Sequence, residues 1–278
     1  MKIGIYGVGF VGNAILTYFT NRGDEVYGYD RYKPVPDQDL ALVFAADILY
    51  LCLPTEFVPF EGYQMSAMDD TLALLAEINF SGQILIKSTV EPDYCRTRSG
   101  KWPTLSIIHN PEFLTARTAV LDFAHQRHII LGCDGRPEMV QGWYAALFPE
   151  AVISHASYEE VALMKLACNT FYAIKVQYFT ELYLLCEKLK MDYAKVVQLM
   201  LGNKWINPMH TVIPGPDGQI SYGGACLPKD SKALETFMRA YSVPCEVITA
   251  TINEQGLMRE AEGKTELHKG QETRDVGN

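Results

Sequence analysis

The 278-residue sequence contains no CxxC pair, no HExxH run and no apolar stretch long enough to cross a bilayer. Seven cysteines (Cys52, Cys95, Cys133, Cys168, Cys186, Cys226 and Cys245) are odd in number, and most sit in apolar helix or strand patterns. That usage excludes a disulfide framework and points to reduced thiols in the cytoplasm. The six histidines lack metal-ligand spacing, so no metal is expected. The longest apolar stretch, Leu40 to Pro54, carries Asp47 and falls short of the roughly 20 residues that a crossing needs. Glycines at 4, 7, 9 and 12 interrupt the opening run, which therefore reads as a strand and turn rather than a signal segment. Positive charge is also scarce, with 24 basic against 33 acidic side chains and a net charge of -9. This argues against a nucleic-acid groove or an anionic membrane surface as partner.

Short apolar runs are present at Lys2–Tyr6, Glu25–Tyr29, Ile48–Leu53, Ile84–Lys87, Leu105–Ile108 and His128–Leu131, separated by helical or turn segments. Such alternation predicts an α/β fold with a doubly wound parallel sheet. From Ser157 a helical repeat runs without Gly or Pro to Lys190, and a shorter helix starts at Asp192. A boundary is therefore expected near Pro149–Ser157, dividing a Rossmann-type domain (1–155) from a smaller all-helical one (156–256). Helical patterns follow at Lys229–Ala240 and Cys245–Asn253, and the polar stretch 257–278 is expected to be a frayed tail. The long helix also suits a subunit interface.

Four constellations carry chemistry. Gly7-Val-Gly9-Phe10-Val11-Gly12 lies between the first strand and a helix, and Asp30 ends the second strand. This is the context in which glycines admit a pyrophosphate and a carboxylate accepts ribose hydroxyls; Asp30 favours NAD over NADP, although Arg31 adjoins it. In Tyr222-Gly223-Gly224-Ala-Cys226-Leu-Pro228-Lys229-Asp230, Cys226 precedes a helix start. The partial positive charge there, together with Lys229, is expected to enrich the nucleophilic thiolate. Lys165 and Asn169 lie one turn apart in an apolar helical run and suit oxyanion stabilisation. Finally, Glu112 in His109-Asn-Pro-Glu-Phe113-Leu114, Thr89 in Lys-Ser-Thr-Val and Pro54-Thr55 follow predicted strands, at the end where doubly wound sheets bind ligands.

Together and in this order, GVGFVG with Asp30, LCLPT, KSTV, NPEFL, AVLDF, the Lys165-x3-Asn169 helix, YGGACLPKD and Asn253 resemble the UDP-glucose/GDP-mannose dehydrogenase family of nucleotide-sugar 6-dehydrogenases. The resemblance implies an NAD-dependent, four-electron oxidation of a sugar C6 alcohol to a carboxylate by a homodimer. It makes Cys226 the nucleophile, with Lys165, Asn169, Glu112, Asp230 and Thr89 catalytic. NAD would be held at Gly7, Gly9, Phe10, Val11, Gly12, Asp30, Pro54, Thr55, Thr89 and Lys229. The nucleotide sugar would meet Glu112, Phe113, Leu114, Lys165, Asn169, Tyr222 and Gly223.

There are departures from the family pattern. A third, nucleotide-holding domain is not expected in a chain of this length, so lysines and arginines of the helical domain would hold the diphosphate. Thr115, Ala116 and Arg117 stand where a second glutamate is usual, His128 stands for an arginine, and Asn203–Ile220 matches poorly. Two other readings remain open: a 3-hydroxyacid dehydrogenase of the 6-phosphogluconate dehydrogenase type, which uses no cysteine, and an NAD-binding protein without activity.

Overall fold

The computed structural model describes residues 1–36, 38–115 and 117–272, with side chains through residue 259. Ala116 and residues 273–278 of the expected tail lie outside the described residues. Two compact units divide the chain, Met1–Lys165 and Leu166–Asn278.

The first unit is built on a seven-stranded sheet with order β2-β1-β3-β6-β7-β8-β9. Its strands are β1 (Ile3–Tyr6), β2 (Val26–Tyr29), β3 (Ile48–Leu51), β6 (Gln83–Ile86), β7 (Ser106–His109), β8 (His128–Gly132) and β9 (Val152–Ala156). All neighbours are parallel except β7 and β8, which meet at the single antiparallel bridge His109↔Gly132. A small hairpin, β4 (Phe57–Val58) with β5 (Gly62–Tyr63), stands apart from the sheet.

The six expected strands are all present, within a residue or two at their ends. The seventh, β9, occupies the stretch read as a boundary. Val152 is exposed and Ile153 and Ser154 only half-buried, so this edge strand lacks the continuous apolar run that marks the central ones. By contrast, Ile48, Leu49, Tyr50 and Leu51 are wholly buried, as a strand covered on both faces must be.

The crossovers are α1 (Phe10–Arg22), α2 (Leu40–Val43), α3 (Ser66–Glu77), α4 (Tyr94–Lys101), α5 (Ala119–Ala124) and α6 (Glu138–Leu147). α1, α5 and α6 share an aromatic cluster, with Tyr18 edge-on to Phe123 at 5.2 Å and Phe19 stacked on Trp143 at 5.6 Å. From β1 the chain turns to one side for β2, then returns across to β3. The strand order therefore reverses beside the carboxyl end of β1, the crevice where open α/β sheets bind ligands.

α7 (Tyr158–Leu189) begins in the first unit and continues into the second. At its start Val161 packs so closely on Gly132 that a Cβ there would meet it at 2.9 Å, and the Tyr158 hydroxyl donates to the Ile107 carbonyl at 2.7 Å.

The second unit adds α8 (Tyr193–Leu201), α9 (Leu227–Ala240) and α10 (Glu246–Glu272), with Phe179, Val197 and Ile213 at the centre of a small core. Asp192 caps α8 by accepting from the Lys195 N–H. The helix α10 continues past Asn253, the end of the expected helical pattern, and into the stretch from 257 expected to be a tail. Leu, Met, Arg, Glu, Ala and Lys are strong helix formers even without apolar periodicity. Side chains also anchor this part: Gln177 donates to the Met258 sulfur at 3.3 Å, and Arg259 pairs with Asp217 at 3.0 Å.

Candidate functional site

The carboxyl end of β1 carries the glycine turn. Gly7 has φ +93°, and a Cβ there would lie 2.6 Å from the Cys52 carbonyl oxygen; one on Gly12 would lie 2.0 Å from the Gly7 oxygen. Only glycine fits either place, whereas the Cβ position of Gly9 is open space. Gly9 is also the N-cap of α1, which has neither a side-chain cap nor an acidic residue in its first turn. That uncapped end, formed by Phe10, Val11 and Gly12, keeps its N–H groups and partial positive charge available to an anion.

Asp30 links this turn to the end of β2. Its Oδ2 accepts from the Val8 N–H at 2.8 Å, and its Oδ1 from Tyr32 and Lys33 N–H at 2.9 and 3.0 Å. Burial alone would raise this carboxyl, but the three backbone donors outweigh it and hold the pKa below the ordinary value. The ionised carboxylate still has acceptor capacity on Oδ2. An uncapped helix start, a turn closed to any Cβ and an ionised carboxylate at the next strand end together fit a dinucleotide with an unphosphorylated ribose.

The loops after β3 and β6 are tied to each other. The Thr55 hydroxyl donates to the Thr89 carbonyl at 2.8 Å, and the Ser88 hydroxyl to the Leu53 carbonyl at 2.6 Å. Thr55 and Thr89 are both buried, and Thr55 uses its hydroxyl to join the loops that flank Pro54.

Glu112 and Lys165, read from separate motifs, are brought together. Their side chains are nearly buried, with Lys165 Nζ 3.7 Å from Glu112 Oε1. Lys165 also donates to the Glu112 carbonyl and lies over the Phe113 ring at 4.9 Å, while Glu112 accepts from the Leu114 N–H. Pairing with both carbonyl and carboxylate makes burial of this lysine tolerable.

In the second unit, Cys226 is the N-cap of the 14-residue helix α9, with Pro228 in its first turn. The carboxylate of Asp230, wholly buried, accepts from Asn169 Nδ2 on Oδ2 and pairs with Lys229 Nζ on Oδ1, each at 2.5 Å. Asp230 N–H donates to the Cys226 carbonyl at 2.9 Å, which fixes the start of the helix. A half-buried thiol, a buried carboxylate, an amide and an ammonium thus occupy one helix start.

Two expected substrate contacts, Tyr222 and Gly223, have close neighbours within the protein. Tyr222 is buried, its phenol donates to the Thr251 carbonyl at 3.4 Å, and burial pushes it up to about 12. Beside Gly223 lies the Arg259 guanidinium, 2.9 Å from where a Cβ would be, donating to the Ser221 carbonyl at 3.0 Å. Arg259 falls in the stretch expected to be a tail, and Gly223, where a side chain would meet its guanidinium, is the sequence signal for it. Lys87 follows the last residue of β6 and opens the Lys-Ser-Thr-Val motif, but the sequence gives it no role of its own.

Among the described residues, no helix is long and apolar enough to cross a membrane, and no cluster of three or more His, Cys, Asp or Glu could hold a metal.

Residues 159–255 match the UDP-glucose/GDP-mannose dehydrogenase family, central domain. UDP-glucose 6-dehydrogenase of Rickettsia felis is 32% identical over 189 residues, 63% of this chain but only 40% of that protein. The enzyme of the same name from Streptococcus pneumoniae is 26% identical across 91% of this chain and 72% of its own length. A UDP-glucose dehydrogenase structure from Pyrobaculum islandicum has the same fold at a TM-score of 0.79 and 21% identity, over 97% of this chain and 71% of that one. Residues 159–255 are thus similar to the central domain of the UDP-glucose/GDP-mannose dehydrogenase family, and the chain shares the fold of a UDP-glucose dehydrogenase.

Proposed function

We propose that the protein oxidises the C6 alcohol of a nucleotide sugar to the carboxylate with NAD, through a covalent adduct on Cys226. The observation that carries this reading is the start of α9, where a nucleophile candidate, Cys226, shares four residues with the buried, doubly bonded carboxylate of Asp230.

NAD, when bound, accepts one hydride in each of two oxidations. The uncapped start of α1 would hold its pyrophosphate, and Asp30 would accept from the adenosine ribose. In the first oxidation the alcohol gives up a hydride and a proton and becomes an aldehyde. The Cys226 thiolate then adds to the carbonyl carbon, and Lys165 and Asn169 stabilise the alkoxide of the resulting thiohemiacetal. Loss of a second hydride from the carbon of that alkoxide leaves a thioester. Water, positioned by Glu112, Thr89 and Asp230, attacks it, breaking the carbon–sulfur bond and releasing the carboxylate and the thiol.

The protein acts as a homodimer in this proposal. Phe171, Tyr178 and Leu185 are half-exposed or more and recur every seventh residue along α7, forming an apolar stripe that suits a second copy.

Cys226→Ala tests the chemistry. The variant is expected to bind NAD as the wild type does and to form no acid from any nucleotide sugar that the wild type oxidises. Undiminished acid production by the variant would remove the covalent mechanism.

A further inference from the structure

Lys87 is 4% exposed. Its N–H donates to the Leu51 carbonyl at 2.9 Å, so pairing with β3 continues one residue past Ile86. Its ammonium donates to Asn110 Oδ1 at 3.0 Å and to the Pro111 carbonyl at 3.5 Å. Among the described residues it forms no ion pair. Burying an ammonium without a counterion is costly, and a methionine would fill the same space without that cost.

The surroundings indicate what the charge does. Asn110 is held on every side: Oδ1 also accepts from the Tyr144 hydroxyl at 2.7 Å, Nδ2 donates to the Ile130 carbonyl at 2.8 Å, and Tyr144 meets the Tyr50 hydroxyl at 2.9 Å. Consecutive carbonyls, those of Pro111 and Glu112, are gripped by two different lysines, Lys87 and Lys165. Lys87 therefore fixes the main chain immediately before Glu112 from beneath.

We propose that Lys87 is a positioning residue for Glu112: as a cation it clamps Asn110 and Pro111 so that Glu112 stays paired with Lys165, and its discharge releases the clamp and gives the enzyme an alkaline limb. This rests on the role for Glu112 given above. The titratable groups facing Lys87 are Cys52 from the end of β3, Glu112 from the loop after β7, Lys165 from α7, Tyr144 from α6 and His109 from β7. Burial lowers Lys87 to about 8; Cys52 and Glu112 oppose the shift and Lys165 adds to it. Cys52 is itself pushed up to about 12 and His109 down to about 3, in each case chiefly by burial, so both are neutral between pH 6 and 10 and neither supplies the limb.

The test compares kcat and KM from pH 6 to 10 for the wild type, Lys87→Arg and Lys87→Met, with NAD and whichever nucleotide sugar turns over. The wild type is expected to lose kcat above a midpoint near pH 8. Lys87→Arg keeps its charge, so it should retain activity and carry the limb at least one pH unit higher. Lys87→Met should lower kcat roughly 10- to 100-fold with KM little changed and no limb near pH 8. A wild-type limb that survives unmoved in both variants overturns the proposal.

A second readout does not need turnover. Because the folded protein holds Lys87 below its unfolded pKa, the buried charge destabilises it in full below pH 8, and this destabilisation fades between pH 8 and 10.5. The wild-type unfolding midpoint should therefore rise relative to that of Lys87→Met across that window. If no nucleotide sugar turns over, the proposed function fails by itself, and a constant difference between the two midpoints then overturns the clamp.

Discussion

The amide of Asn169 donates to Oδ2 of Asp230 at 2.5 Å, and Asp230 is wholly buried. A carboxylate is retained in such a place only if it is fully paired, and here Asn169 takes one oxygen and Lys229 the other. Asp230→Asn preserves the shape and removes the charge. It is expected to leave NAD binding intact and to lower the rate of acid formation roughly 100-fold or more, measured as kcat at saturating NAD. Asn169→Ala leaves an acceptor with one partner fewer and should cost about 1–3 kcal/mol in urea unfolding.

Gly12 lies under Gly7, with 2.0 Å between the position of an added Cβ and the Gly7 oxygen. Gly12→Ala must displace the turn. We expect NADH affinity, followed by fluorescence titration, to fall more than about tenfold, and stability to drop by about 1–3 kcal/mol. Gly9→Ala makes an informative contrast, since its Cβ meets no protein atom. It should leave the unfolding midpoint almost unchanged and lower NADH affinity alone.

Glu91 accepts from the Tyr63 N–H at 3.2 Å, and burial raises its carboxyl above the ordinary value. A raised folded-state pKa means that the native protein binds the extra proton, so the relative stability is full below the unfolded pKa and is lost as pH rises through the folded one. Glu91→Gln keeps the acceptor without the charge. Its unfolding midpoint should exceed that of the wild type at pH 7, and the two should converge near pH 4. An equal difference at both pH values would assign the effect to packing.

The stripe on α7 makes a prediction about assembly. Tyr178→Glu places a charge at the middle of Phe171, Tyr178 and Leu185. It is expected to convert a dimer to a monomer in sedimentation, with little change in the helical circular dichroism. A dimer that persists would place the interface elsewhere.

How much was legible in the sequence depended on the kind of signal. The central strands were readable because burial on both faces demands continuous apolar runs such as Ile48-Leu-Tyr-Leu51. β9, an edge strand with an exposed Val152, carries no such run, and β4 and β5 are two residues each. The sequence does not mark the extent of α10 because its later residues, without apolar periodicity, favour a helix through intrinsic propensity alone.

In the candidate site, the motifs identified residue types but not their partners. Nothing in the chain indicates that Glu112 and Lys165, 53 residues apart, pair, or that Asp230 lies beneath Asn169. Nor does the sequence show that the Tyr222 phenol donates to the Thr251 carbonyl. The role of Lys87 was hidden because a lysine at the end of an apolar strand ordinarily reaches solvent.

The central claim, a cysteine-dependent double oxidation, is tested most directly by counting NADH. Limiting UDP-glucose, UDP-N-acetylglucosamine, UDP-N-acetylmannosamine and GDP-mannose are each incubated with excess NAD, and the NADH formed is divided by the sugar nucleotide consumed. The account predicts two equivalents with one of them, and none of that acid from Cys226→Ala. A single equivalent, with the aldehyde or ketone as product, would contradict it.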